Sequence, residues 1–487
     1  MMGGSRHTGS SVPCSSSGAR PLRLSLDLLF PLSLLGFLGL LVCGAAVAAP
    51  YDSIDPPIEA EGRAFGAEGR AFGAEGRGFG ALALDREAKD SAVVPTGSVQ
   101  LGGEAVEQRR VAPGRVERGP ELAALPRRAN QEIAIAPVLP RLSKLPTADK
   151  LRNGRFVSTL RNGEVAVLSL DVELQRYVTD LVRRAQAPHI AVVAMNPTNG
   201  RILAYASKSK TISDLVTHAG FPAASLFKVV TSAAALERTK LEPDSLIPFR
   251  GGTYELERWN FSPDPRRDRR MMSLTEALGR SCNPVFGRVA LNYLSAPILQ
   301  FYANAFGFNQ SIGFDAPLEL SEAEVPADSF LRSRTGAGFG DVYISPVHAA
   351  ALMAGLANRG VMPRPSLIEG VYPVGSTKLL PIGAQMQKKM VNPATAKRLM
   401  TMMVASTTTG TSRRDFMLKK KPILGSVLVA AKTGTLTGKN PAGLNQWFIA
   451  AAPINSPRIA IAIISVDPRN ASARPARIAR QIFQNYL

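Results

Sequence analysis

The chain has 487 residues, of which 45% are hydrophobic, and its formal net charge is +20 at pH 7. This length allows two or three domains, or one large domain with appendages. The basic residues are scattered, aromatic residues make up only 6% of the chain, and no DNA- or RNA-binding motif occurs, so we expect no nucleic-acid partner. The four histidines and three cysteines show no metal-ligand spacing, and we expect neither a metal nor a cofactor.

An apolar run near the N-terminus predicts export from the cytoplasm. Arg20 and Arg23 precede this run, residues 28–49, which is long enough for the roughly 20 residues of a membrane-spanning helix. Positive charge before such a run keeps the preceding segment cytoplasmic, so we predict a basic cytoplasmic tail over 1–27 and a signal-anchor over 28–49. The small residues Ala46-Val47-Ala48 also fit a cleavage site, and a cleaved signal peptide is the alternative.

Residues 50–163 are predicted to form a flexible low-complexity linker. A heptapeptide that begins with Glu61-Gly62-Arg63 occurs three times in succession, with one substitution, and ends at Ala81. A period of seven is typical of coiled coils, but every repeat carries at least two glycines, which oppose a helix. The following residues 82–150 are rich in Pro, Gly and Arg without sustained periodicity, so we expect a tether rather than a domain.

Regular structure is predicted to begin at residue 164 and to continue to residue 487 as one domain. Residues 165–170 form a short apolar strand, and Asp171 caps a helix over 172–186. Two further apolar runs, 189–195 and 201–206, flank a turn-rich Asn-Pro-Thr-Asn-Gly segment and therefore predict a hairpin.

The C-terminal part of the domain shows the same kind of pattern. Apolar runs predict strands over 426–432, 446–452 and 458–466, followed by a helix over 473–486, and the pattern of residues 224–410 is mostly helical. We therefore predict an α/β fold. Its first and last strands form one antiparallel sheet flanked by helices, with a mostly helical lobe inserted between them.

The first of three short motifs places a serine and a lysine at the start of a buried helix. Ser225 precedes an almost wholly apolar run that ends at Leu236, and Lys228 lies one helical turn further on. A helix N-terminus favours developing negative charge, and a lysine that loses solvation has a lowered pKa and can act as a base. Alone, the pair is also explained by a capping serine and a snorkelling lysine. The same spacing recurs at Ser207 and Lys210, where no buried helix follows.

The second motif is Ser281-Cys282-Asn283, which follows a helical run over 274–278. The serine hydroxyl can pass a proton between the lysine and a leaving group, and the asparagine amide can bind a peptide carbonyl. Alone, this sequence is also a common turn signal. At Cys282 we expect a buried, inert thiol.

The third motif, Lys432-Thr433-Gly434-Thr435, lies where the strand over 426–432 is predicted to end. The glycine leaves room for a peptide that adds to the strand edge as an extra strand. Lys432 is expected to attract a substrate carboxylate and, through its positive charge, to keep Lys228 neutral. The hydroxyls of Thr433 and Thr435 can bind the same carboxylate. An ordinary exit from a strand into a turn is the alternative.

Together, the three motifs supply a nucleophile, a base, a relay hydroxyl, an amide and a second cation. This set suits attack on an amide carbonyl by a serine that has no histidine partner. The backbone N–H groups of Ser225 and Thr435 are expected to form the oxyanion hole.

In this order, the motifs resemble those of the penicillin-binding transpeptidases, the acyl-serine enzymes that cross-link bacterial peptidoglycan. Further similar segments are 168–175, 191–204, 344–348, 356–360, Gly410-Thr411 and Trp447-Phe448, and the resemblance covers residues 165–487. It implies the fold of these enzymes. It also implies the roles of the site residues. The catalytic residues would be Ser225, Lys228, Ser281, Asn283 and Lys432. The substrate-binding residues would be Thr433, Gly434 and Thr435.

The resemblance implies the activity of a peptidoglycan D,D-transpeptidase. Ser225 would attack the penultimate D-alanyl carbonyl of a stem peptide and release D-alanine, and an amine of a neighbouring stem would then resolve the acyl-enzyme. β-Lactam antibiotics would acylate the same serine. The resemblance also implies a bacterial cell envelope, with the domain in the periplasm, the N-terminal segment in the inner membrane or removed after export, and cell-wall synthesis proteins as partners.

Departures from the family narrow the subtype. Residues 50–164 are too short and irregular for a glycosyltransferase domain, so the chain resembles a monofunctional, class B-like member. The Glu-x-x-Leu-Asn motif of class A β-lactamases is missing, and we expect no fast β-lactamase activity. Two alternatives are a D,D-carboxypeptidase that uses water as the acceptor, and a penicillin-binding sensor or scaffold that acylates without cross-linking.

Overall fold

The computed structural model describes residues 139–383, 387–468 and 473–487. The predictions for the cytoplasmic tail, for the anchor or signal segment and for the linker up to residue 138 lie outside the described residues. All described residues belong to the unit formed by residues 123–487. Within them, none of the helices combines the length and the apolar character that crossing a membrane requires.

The described part of the chain alternates between helices and strands, which are numbered here in chain order. The helices are α1 Val172–Arg184, α2 Phe227–Arg238, α3 Leu274–Arg280, α4 Asn283–Asn292, α5 Ala296–Ala305, α6 Ser329–Gly336, α7 Pro346–Ala357, α8 Pro393–Met403, α9 Ala405–Thr408, α10 Arg413–Phe416 and α11 Pro475–Tyr486. The strands are β1 Leu151–Arg152, β2 Arg155–Thr159, β3 Val165–Leu168, β4 His189–Met195, β5 Ile202–Lys208, β6 Leu246–Phe249, β7 Arg270–Ser273, β8 Glu322–Ala323, β9 Val342–Tyr343, β10 Val361–Pro363, β11 Ile368–Tyr372, β12 Leu380–Pro381, β13 Gln387–Lys389, β14 Met417–Leu418, β15 Lys421–Pro422, β16 Ala430–Lys439, β17 Ala442–Ala452 and β18 Ile459–Asp467.

The main sheet joins strands from the two ends of the domain. Its order is β16-β17-β18-β4-β5, and all neighbours pair antiparallel. The central strand β18 is buried along its whole length because both faces of the sheet are covered. The predicted hairpin β4–β5 and its antiparallel sheet with the C-terminal strands are confirmed. The first predicted strand, over 165–170, is not part of this sheet, because β3 pairs with β2 and β11 instead.

Helices cover both faces of this sheet. On one face, α1 packs on β4 and β5 and α11 packs on β17 and β18, and Val178, Phe483 and Ile461 belong to one buried cluster. On the other face, α7 packs on β18, and the helical lobe follows, with α2 at its centre in contact with α4, α5, α6 and α8. The predicted α/β fold with an inserted, mostly helical lobe is therefore confirmed.

A second sheet corrects the predicted start of the domain. Its order is β1-β2-β3-β11-β12, so two strands lie before residue 164 and pair with the domain. Leu142 is also buried, and its N–H donates to the carbonyl of Asp315 at 2.7 Å. The predicted boundary at residue 164 was therefore wrong, because strands this short leave no periodicity in the sequence.

Strand β16 corrects the predicted position of the third motif. The sequence placed Lys432 at the end of a strand, whereas β16 continues to Lys439 and pairs with β17 throughout. The strand lies at the edge of the sheet, and exposed Thr435 and Thr437 alternate along it. Exposed polar residues that alternate along an edge strand look like a loop when only the sequence is known. The strand was therefore predicted too short.

Candidate active site

Ser225 lies in a tight turn at the start of α2. Residues 224–226 form one turn of 3₁₀-helix that leads directly into the buried helix. Ala224 has φ of +50°, in the left-handed region. Gly338 packs on this turn so closely that a Cβ at its position would lie 2.3 Å from the Ala224 carbonyl oxygen. The turn is therefore fixed from outside by the loop that follows α6.

Lys228 brings its amine to the hydroxyl of Ser225. The side chain is fully buried, and its Nζ lies 2.7 Å from Ser225 Oγ. The same Nζ donates to Asn283 Oδ1 at 2.7 Å and to the carbonyl of Ala337. The oxygens of Asn283 and Ala337 can only accept hydrogen bonds, whereas the Ser225 hydroxyl can donate or accept one. A neutral amine can thus donate twice and keep its lone pair for the serine proton.

The pKa of Lys228 suits a base near neutral pH. Burial lowers this pKa from its usual value to about 7, because the charged form has lost its hydration. The sequence predicted this effect of lost solvation and added a contribution from the charge of Lys432; in the structure, burial is the main cause. The neutral form is therefore populated at physiological pH.

The second motif is positioned by two helix ends. Ser281 caps α3 with φ of +58°, and Asn283 is the first residue of α4. Besides its bond to Lys228, the Asn283 side chain donates from Nδ2 to the carbonyl of Tyr254 at 2.6 Å. The sequence predicted that this amide binds substrate, and it missed the contact that holds Lys228. Cys282 is buried, and burial raises the pKa of its thiol to about 11, in agreement with an inert thiol.

The third motif brings a second buried lysine to the second motif. Lys432 Nζ donates to Ser281 Oγ at 2.9 Å and to the Thr433 carbonyl at 2.7 Å. Burial and the charge of Lys228 lower the pKa of Lys432 well below its usual value. Since Lys432 is fully buried, its amine reaches the cavity through Ser281 rather than by direct contact with a ligand.

Gly434 has a packing role that the sequence did not predict. A Cβ at this position would lie 3.2 Å from Trp447 Cβ and 3.3 Å from the Ala223 carbonyl oxygen. The glycine therefore lets β16 approach the turn that holds Ser225. The sequence interpreted it as space for a substrate backbone along the strand edge, and that role stays a prediction.

A cavity of about 510 Å³ opens in front of these groups. Five of the predicted residues line it, namely Ser225, Ser281, Asn283, Thr433 and Thr435, while the two lysines lie buried beside it. Thr411 and Arg414 also line the cavity and were not predicted as site residues. The sequence pointed to Thr411 only through the Gly410-Thr411 segment, which resembles the family named above, and it did not point to Arg414. Within the described residues, no group of His, Cys, Asp or Glu is arranged to hold a metal. The oxyanion hole at Ser225 and Thr435 stays a prediction.

Comparisons with known proteins agree with this geometry. The family model "Penicillin binding protein transpeptidase domain" matches residues 190–484. The peptidoglycan D,D-transpeptidase PbpA of Mycobacterium tuberculosis is 29% identical over 311 residues, which cover 56% of this chain and 61% of that protein. The peptidoglycan D,D-transpeptidase MrdA of Haemophilus influenzae is 25% identical over 408 residues, which cover 69% of this chain and 58% of that protein. The matched part of the chain thus spans about three fifths of the length of each of these relatives.

Solved structures share the fold. A D,D-transpeptidase domain from Eggerthella lenta aligns with a TM-score of 0.56 at 23% identity, over 67% of this chain and 84% of that one. Penicillin-binding protein A of M. tuberculosis, in its penicillin G acyl-enzyme complex, aligns with a TM-score of 0.50 at 26% identity, over 66% of this chain and 80% of that one.

Proposed function

Because this chain belongs to the penicillin-binding protein transpeptidase family, we propose that it is a peptidoglycan D,D-transpeptidase that cross-links stem peptides through an acyl-enzyme on Ser225. One observation carries the proposal. The amine of Lys228 lies 2.7 Å from Ser225 Oγ, is fully buried and has its pKa lowered to about 7. A serine next to a neutral amine is an activated nucleophile that needs no histidine.

In the first step, Lys228 takes the proton of Ser225 as Oγ attacks the penultimate D-alanyl carbonyl. The C–N bond of the tetrahedral intermediate then breaks, and the amine of the leaving D-alanine receives a proton through the hydroxyl of Ser281. This hydroxyl is suited to the relay because Lys432 donates to it at 2.9 Å. The product of this step is an ester between the stem peptide and Ser225.

In the second step, an amine of a neighbouring stem attacks the ester carbonyl. The C–O bond to Ser225 breaks, the attacking amine loses a proton, and Ser225 Oγ recovers one through Lys228. The products are a peptide cross-link and the free enzyme. Water in place of the amine gives the carboxypeptidase reaction, which is the second candidate activity. β-Lactams enter at the first step and leave an acyl group on Ser225.

The proposal places the catalytic domain in the bacterial cell envelope, where peptidoglycan stem peptides are the substrates. The predicted segment over 28–49 would anchor the chain in the inner membrane, with the domain in the periplasm, or would direct its export. Other cell-wall synthesis proteins are the expected partners. The chain would act as a monofunctional, class B-like enzyme.

Labelling with a fluorescent penicillin tests the nucleophile. The wild-type protein should be labelled and Ser225→Ala should not, since the variant has no hydroxyl to acylate. Ser207→Ala is the matched control, because Ser207 has the same spacing to a lysine but lies exposed on β5. Intact-mass analysis with peptide mapping should place the adduct on Ser225. Labelling of Ser225→Ala at the wild-type level would contradict the proposal.

Release of D-alanine distinguishes an active transpeptidase from a penicillin-binding sensor or scaffold. Wild-type protein with a stem pentapeptide and an acceptor amine should release D-alanine and form the cross-linked product. Penicillin labelling without any D-alanine release would favour the sensor or scaffold.

Replacing Lys432 by methionine is expected to lower the acylation rate of Ser225 by roughly 10²-fold, because Ser281 loses the donor that orients its hydroxyl. The rate constant for penicillin, measured by intact mass, checks this result. Lys439→Met is the matched control, since Lys439 ends the same strand and is exposed. Equal rates for the two variants would exclude the positioning role of Lys432.

A further inference from the structure

We propose that Arg414 is a specificity-determining residue that binds the C-terminal carboxylate of the stem peptide, an inference that rests on the proposed function. Arg414 lines the active-site cavity together with Ser225 and Thr433. It belongs to α10, three residues after Thr411. No sequence motif pointed to it.

The residue expected to attract the carboxylate cannot contact it in this structure. Lys432 is fully buried, and its amine already donates to Ser281 and to the Thr433 carbonyl. The hydroxyls of Thr433 and Thr435 can bind a carboxylate in the cavity, and a cation that balances its charge would have to come from the exposed wall. Among the described residues that line the cavity, the cationic side chains are those of Arg414 and Arg474.

Arg414 is available for a ligand. Its side chain is 75% exposed, and its Nε lies 3.9 Å from Asp415 Oδ2, which is a loose ion pair. Asp415 is nearly buried, and its other oxygen accepts from the guanidinium of Arg474. Because Asp415 has this closer partner, Arg414 can turn its planar fork of donors toward a carboxylate, which such a fork binds in a bidentate manner.

Contacts of Thr411 bring the segment that precedes Arg414 to the third motif. The hydroxyls of Thr411 and Thr433 lie 2.7 Å apart, which ties the segment before α10 to strand β16. Pro475 and Ala476, the first residues of α11, line the same cavity, and the N-terminal end of a helix carries partial positive charge. This end of the cavity therefore favours an anion.

A stem peptide offers carboxylates from two sources, its C-terminus and an acidic side chain. The C-terminal group belongs to the residue next to the bond that Ser225 attacks, so it must lie close to the nucleophile. Arg414 lines the same cavity as Ser225 and Thr433, and Gly434, next to Thr433, packs on the turn that holds Ser225. The geometry thus favours the C-terminal carboxylate.

The test compares acylation of Ser225 by penicillin and by its uncharged methyl ester. Arg414→Gln should lower the second-order rate constant for the free acid about tenfold, because one charge-assisted contact is lost. The rate constant for the ester should stay within about twofold, since the ester has no charge to bind. Arg414→Lys should recover part of the preference for the acid. Arg413→Gln is the matched control, because Arg413 is exposed and does not line the cavity.

Several outcomes would overturn the assignment. Equal losses for acid and ester would indicate a structural role, and an unchanged rate with the acid would exclude the contact. Stem pentapeptides with and without an acidic side chain form the second arm. If the loss in Arg414→Gln occurs only with the acidic side chain, the C-terminal assignment is wrong. If wild-type Ser225 is acylated by neither penicillin nor ester, the proposed function itself fails, and this assignment fails with it.

Discussion

Replacing Lys228 by alanine is expected to lower the rate constant of Ser225 acylation by roughly 10²–10⁴-fold. The amine that takes the serine proton, 2.7 Å from Oγ, is then absent, and in the described residues no other side-chain amine contacts Ser225. The measurement is the time course of the penicilloyl adduct, followed by intact mass. The expected loss in rate equals the contribution that one general base typically makes to catalysis.

The pH dependence of acylation tests the same base independently. Burial lowers the pKa of Lys228 to about 7, and only the neutral amine can accept a proton. The wild-type rate should therefore rise as the pH increases through about 7 and level off above it. Lys228→Ala should lose this inflection. A wild-type rate that falls as the pH rises through this window would contradict the assignment of the base.

Lys210→Ala is the matched control for Lys228→Ala. Lys210 has the same spacing from a serine, but it is exposed, and its variant should acylate at the wild-type rate. Lys228→Met, which keeps the length of the buried side chain, separates loss of the base from loss of packing. If Lys228→Met is folded and acylates normally, Lys228 is not the base.

Replacing Gly338 by alanine is expected to disturb the nucleophile from outside the motifs. Gly338 has φ of +96°, and an added Cβ would lie 2.3 Å from the Ala224 carbonyl oxygen and 2.9 Å from the Ser225 nitrogen. These are backbone atoms, so they cannot rotate away. The turn must move, and we expect an acylation rate about a hundredfold lower. The free energy of unfolding should fall by about 2–4 kcal/mol, as measured by denaturant titration.

Gly340→Ala is the matched control for this backbone effect. Gly340 has φ of +86°, so alanine is strained there as well, but its nearest neighbour to an added Cβ is Thr335 Oγ1 at 3.2 Å. It should lose stability through strain yet acylate at nearly the wild-type rate. If both glycine variants lose activity equally, contact with the Ser225 turn is not the cause.

The features that the sequence predicted are those encoded by neighbouring residues. The apolar run after Ser225 predicted the buried helix and the position of Lys228 on it. The hairpin β4–β5 followed from its turn residues, and the strands near the C-terminus followed from long apolar runs. The motifs also predicted that residues from three distant segments meet, because only together do they supply a nucleophile, a base, a relay hydroxyl, an amide and a second cation.

The missed features depend on contacts between distant segments. The bond from Asn283 to Lys228 and the contact of Gly434 with the Ser225 turn exist only after the segments have packed. Arg414 lies in a short helix without periodicity, so nothing local marked it. Strands β1 and β2 were missed because strands of two and five residues are too short to show periodicity in the sequence.

The position of β18 between β17 and β4 affects how the domain forms during synthesis. The hairpin β4–β5 is synthesised early, whereas β18, which pairs with β4, is synthesised near the end of translation. Until then, the edge of β4 has no partner from β18. Sheets that depend on such remote pairing fold slowly, and open edges invite association with other chains. Chains cut short before Ile459 should therefore aggregate rather than yield a smaller active protein.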